Sequence, residues 1–62
     1  LVKVRQIIKL IEWDGWRQAR QRGSHRQFHH PTKPGTVTVS GHLNKDLRRK
    51  TESSIMKQAR LR

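Results

Sequence analysis

The chain contains no cysteine, and its 62 residues include one phenylalanine, one methionine and two prolines. Without cysteine there is neither a disulfide framework nor a thiolate zinc site. No apolar run is long enough to cross a bilayer or to serve as the hydrophobic segment of a secretory signal, so the expected location is cytoplasmic. Acidic groups are scarce as well: four Asp and Glu face fifteen Lys and Arg, for a formal charge of +11. Glu12, Asp14, Asp46 and Glu52 are too scattered to suggest the clustered carboxylates of a two-metal nuclease. An excess of one sign this large repels itself. Its natural partner is a polyanion, bound through phosphate contacts that make affinity depend on salt.

What remains suffices for one domain over residues 1–62 with a thin core. Val4, Ile7, Ile8 and Ile11 recur at helical spacing and predict a helix over 3–13, ended by Asp14-Gly15. Lys3 and Arg5 at its start and Glu12 and Asp14 at its end oppose the helix dipole. Three segments of period two follow, Trp16–Gln21, His25–His30 and Thr36–Ser40, broken at Arg22-Gly23 and at Pro31-Thr32-Lys33-Pro34-Gly35. Residues 41–50 read as a loop, and Thr51 as the N-cap of a second helix with Ile55, Met56 and Ala59 inside. The fold class is therefore α+β, in the order α-β-β-β-α. Its three-stranded antiparallel sheet carries both helices on one face, the only apolar surface on offer. Phe28, Val37, Val39 and Leu47 complete the expected core, and Trp13 and Trp16 read as packing residues.

His25 stands out within Arg20-Gln21-Arg22-Gly23-Ser24-His25-Arg26. Imidazole is the side chain that gains or loses a proton near neutral pH, and the arginines offer a seat for phosphate. Phe28 must face the helices, so His25, three residues away, faces the open side with Gln27 and His29. If Arg22-Gly23 forms the turn, Arg20 lies opposite His25. Across the second hairpin His25 faces His42 if Phe28 pairs with Val39, and Ser40 if it pairs with Val37. Arg17 and Arg26 are left pointing to the helix side, where they would have to reach out at an edge.

A metal site fits poorly. His25 and His29 share a face but lie about 13 Å apart, too far for one zinc ion. His29 and His30 read as surface residues. Metal-free cleavage of RNA fits better: a base near the 2′-hydroxyl, a proton donor for the leaving oxygen and cations at the phosphate. His25 serves as general acid or base, Arg20 or Arg26 supplies the charge, and Ser24 or its backbone N–H a hydrogen bond to a phosphate oxygen. Arg22, Lys33 and His42 are further candidate RNA contacts. Arg48-Arg49-Lys50, ahead of the second helix, reads equally as a phosphate contact or as a solvated charge run. No small-molecule cofactor is expected. The competing reading is an RNA-binding module of the same fold without catalysis.

Several segments together resemble the HicA toxin family, the YcfA-like mRNA interferases. They are Ile7-Ile8-Lys9-Leu10-Ile11, Asp14-Gly15-Trp16, Arg20-Gln21-Arg22-Gly23-Ser24-His25, Phe28-His29-His30-Pro31, Gly35-Thr36-Val37-Thr38-Val39, His42, Lys45-Asp46-Leu47 and Ile55-Met56-Lys57-Gln58-Ala59. The resemblance implies a fold like that of double-stranded-RNA-binding domains. It also implies a ribosome-independent endoribonuclease acting on mRNA, with the histidine of Gly-Ser-His, here His25, as catalyst, and a cognate HicB-type antitoxin as partner. Two places depart from the family pattern. Lys50-Thr51-Glu52 stands where Gly-Thr-Leu is frequent, and Ala59-Arg60-Leu61 where Ala-Gly-Leu is frequent.

Overall fold

Val4, Ile7, Ile8 and Ile11 form the buried stripe of helix α1 (Val4–Trp13) in a computed structural model that describes residues 2–61. The stripe explains why Trp13 does not pack as expected. It lies two residues beyond Ile11, about 200° around the helix, and is 91 % exposed. A two-residue strand, β1 (Val2–Lys3), precedes α1. The first helical N–H groups are satisfied by loop carbonyls, Val4 donating to Lys45 O (2.9 Å) and Arg5 to Leu43 O (3.0 Å). Two of the four charges that oppose the dipole are paired across the fold: Lys3 with Asp46 at 3.2 Å, and Asp14 with Lys33.

The three central strands are β2 (Arg17–Arg22), β3 (His25–His29) and β4 (Val37–Val39), antiparallel in that order. Phe28 faces Val37 and Arg26 faces Val39. Phe28, Val37 and Val39 are fully buried in one cluster with the α1 stripe and with Ile55 and Ala59 of the C-terminal helical segment. The expected helix-strand-strand-strand-helix order and the single covered sheet face are thus present. Trp16 joins this core at 1 % exposure, whereas Met56 only borders it.

Residues 41–50 are not all loop. β5 (Asp46–Leu47) pairs with β1, matching Val2 to Leu47 and Lys3 to Asp46, and buries Leu47. That pairing fixes where the chain enters helix α2 (Arg49–Gln58), whose N-cap is Arg48 rather than Thr51. Tertiary anchoring overrides the preference of a hydroxyl for the cap. The register of the first hairpin also departs from expectation. The turn is Gly23-Ser24, so Arg22 lies opposite His25, and Arg20 opposite Gln27. Gly23 has φ +59° and Ser24 has negative φ, the pattern of a type II′ turn, whose twist suits a hairpin.

Further down, the pairing slips between Gln18 and Arg20, leaving Ala19 as a bulge. Unbroken alternation would put Trp16 on the same face as Arg20 and Arg22. The bulge inverts the parity, so Trp16 turns into the core while both arginines stay outside. It also places Arg17 opposite His29 on the open face, correcting the expectation that Arg17 points towards the helices.

Candidate functional site

Register and bulge together build the open face as rows across the strands. Arg22 lies opposite His25 in one row, and Arg20, Gln27 and Thr38 form the next. These five residues line a concavity of about 350 Å³. Adjacent paired side chains stand about 4.5–5.5 Å apart at Cβ. A third row, Arg17 opposite His29, extends the face away from the turn. The strands contribute different chemistry: arginines from β2, imidazoles and an amide from β3, a hydroxyl from β4.

His25 is exposed at the head of β3, and neither it nor Arg20 or Arg22 has an ion-pair or side-chain hydrogen-bond partner among the described residues. The concavity therefore presents two uncompensated guanidinium groups and an imidazole whose nitrogens are open to a ligand. Of the two registers open for the second hairpin, the Phe28–Val37 pairing is the one found. His42 accordingly lies past the end of β4, in the turn where Lys45 N–H donates to His42 O, and is not among the walls of the concavity.

Three other candidates are placed differently. Ser24 sits in the turn beside His25, its carbonyl accepting the N–H of Gly41 at 3.2 Å. Arg26 lies opposite buried Val39, away from the open face, and its guanidinium donates to Gly41 O at 3.1 Å. Lys33 is used inside the fold: its ammonium bonds the Asp14 carboxylate and reaches the carbonyls of Ala59 and Arg60 at 3.4 and 3.5 Å.

His30, expected at the surface, is instead a hub with 9 % of its side chain exposed. Its Nδ1 accepts the N–H groups of Thr32 and Lys33 at 3.1 Å each, which assigns the ring proton to Nε2, 2.8 Å from Asp14 O. Its ring meets Trp16 edge-on at 5.2 Å, and Trp16 Nε1–H donates to Ala59 O at 3.2 Å. A side chain at Gly15 would put its Cβ 2.7 Å from His30 Nε2, so only glycine fits there. Lys33, hydrogen-bonded to Asp14, holds that carboxyl below its usual range against the opposing effect of desolvation.

Gln27 and Thr38 are the wall residues that composition alone did not single out as contacts; their signal lay in the alternation of Arg26-Gln27-Phe28 and Val37-Thr38-Val39. Among the described residues no three of His, Asp or Glu converge as a metal site, and no helix is long and apolar enough to cross a membrane. No curated protein matches the chain. The family described as the HicA toxin of bacterial toxin-antitoxin matches residues 4–61. That match covers nearly the whole 62-residue sequence. The chain belongs to the HicA toxin family of bacterial toxin–antitoxin systems.

Proposed function

We propose that this toxin is a metal-independent, ribosome-independent endoribonuclease that cleaves mRNA in the cytoplasm with His25 as its proton-transfer group. The observation that carries the reading is the placement of an exposed, unpartnered imidazole directly opposite Arg22 and diagonal to Arg20 on the open sheet face. A phosphodiester seated on the two guanidinium groups brings its 2′-hydroxyl to His25. Imidazole takes the hydroxyl proton, the 2′ oxygen attacks phosphorus, and the bond to the 5′ oxygen breaks. The departing oxygen is protonated from solvent. The products are a 2′,3′-cyclic phosphate and a 5′-hydroxyl end, with Arg20 and Arg22 stabilising the charge that builds on the phosphoryl oxygens. DNA lacks the attacking hydroxyl and is left intact.

A fold like that of double-stranded-RNA-binding domains fits the two helices and antiparallel sheet. The antitoxin of the system, of the HicB type, silences the toxin by covering His25 and setting acidic groups against the arginines. The test is His25→Ala with single-stranded RNA, binding and cutting being measured separately. The expected outcome is cleavage reduced by about 10²–10⁴-fold with affinity kept. Undiminished cleavage by the variant would remove His25 from the chemistry. Wild-type binding with no cleavage would identify an RNA-binding module instead.

A further inference from the structure

The sheet face uses few of the fifteen basic residues, and a second basic surface lies on α2. Lys50, Ser53, Ser54, Lys57 and Gln58 line one shallow depression. Their spacing puts them on one side of the helix, with the two lysines about 10 Å apart along its axis. Glu52, the only acid on α2, lines the neighbouring depression with Arg49, Lys50 and Ser53 and is not among the walls of this one. Both lysines are exposed, and neither has an ion-pair partner among the described residues.

This depression is joined to the candidate active site by a specific contact. Gln58 Oε1 accepts the backbone N–H of Thr38 at 3.1 Å, and Gln58 Nε2–H donates to Ser54 Oγ at 3.3 Å. Thr38 belongs to the edge strand β4, and its side chain lines the concavity beside His25. The outer edge of β4 is therefore the crest between the Arg20–His25–Thr38 hollow and the lysine-bearing face of α2.

We infer that an RNA strand held beside His25 runs on over β4 and is gripped on α2 by Lys50 and Lys57, each at a backbone phosphate. The inference rests on the proposed RNA-cleaving function. The lining favours nucleic acid over an acidic protein. All five residues are polar, with no aromatic or aliphatic anchor of the kind that supplies most of the affinity of a protein interface. Ammonium, hydroxyl and amide groups suit a phosphate–ribose backbone and read no sequence. The face would lengthen the grip on the substrate without touching the scissile bond.

The test uses 2′-O-methyl RNA, which cannot be cut, as a short oligonucleotide of about four residues and a long one of about sixteen. Binding of wild type and of Lys50→Gln/Lys57→Gln is measured across a salt series. For the long strand the double variant should show a slope of log K against log salt shallower by about 1.4, at about 0.7 for each phosphate no longer neutralised. The short strand, which covers only the hollow, should bind both proteins alike. A charge-matched Arg5→Gln/Lys9→Gln variant on α1 should keep the wild-type slope. The proposal is overturned if the long-strand slope is unchanged, or if both lengths or both variants lose affinity equally. It is also overturned if RNA binding survives while antitoxin binding falls, which assigns the face to an acidic protein. Wild-type protein that binds neither strand would instead overturn the function on which the inference rests.

Discussion

Asp14 shows how one carboxylate among so few acids is used. It closes α1, accepts the Lys33 ammonium, and its backbone carbonyl faces His30 Nε2. Through Lys33 and Trp16, the same cluster reaches Ala59 O at the far end of the chain. Lys33 holds the Asp14 carboxyl below its free value of 3.8 in the folded state. The folded protein thus resists protonation of this group more than the unfolded chain does. The resulting stability is present above the unfolded pKa and is lost as pH falls through the folded value. Asp14→Asn should therefore melt at a lower temperature than wild type near neutral pH, with the gap closing in acid below about pH 4. A gap of constant size down to the acid limit would show that the carboxylate charge is not its source. None of this cluster was visible in the sequence, because Asp14, His30 and Lys33 are joined across the fold and local periodicity carries no information about such pairs. His25 was legible because strand parity alone, anchored on Phe28, decides which way it faces.

At the scale of elements, the legible parts were those with a strict period. The α1 stripe and the Val37–Val39 alternation lie where their spacing puts them. β2 did not yield to the same rule. Its alternation asks Trp16 to share a face with Arg20 and Arg22, a conflict that only a bulge resolves, and that conflict was the available signal. The end of α2 repeats the lesson. Leu61 N–H donates to Met56 O and Arg60 N–H to Lys57 O, the paired bonds of a Schellman cap, with Arg60 at φ +58°. The motif that the family commonly closes with glycine is thus kept, with arginine held in the left-handed region. Arg60→Gly should raise unfolding free energy by about 0.5–1 kcal/mol, strain relief exceeding the added flexibility of the unfolded chain. Denaturant titration of the two proteins checks it; an unchanged or lower midpoint would mean that the Arg60 side chain contributes more than its backbone costs.

For the molecule as a whole, charge and core pull against each other. Among the described residues, eleven buried apolar side chains hold together a chain of net charge +11. Domains of this size bury only about 60 % of the surface that their unfolded chains expose. Free protein should therefore be marginal, and whatever neutralises the open face should stabilise it. Arg17, Arg20 and Arg22 stand in register only when β2 is paired and bulged, so this arginine array exists in the folded state and not in the unfolded chain. Uncleavable 2′-O-methyl RNA at about a hundred times its dissociation constant should then add about 2.7 kcal/mol. For a domain this small, that raises the melting temperature by roughly 10–20 °C. The gain should shrink steadily with added salt, because the contacts that carry it are phosphate contacts. A melting temperature that rises equally in high salt would place the stabilising contacts off the arginine rows. One that does not rise at all would mean that the unfolded polycation binds RNA as well as the folded domain does.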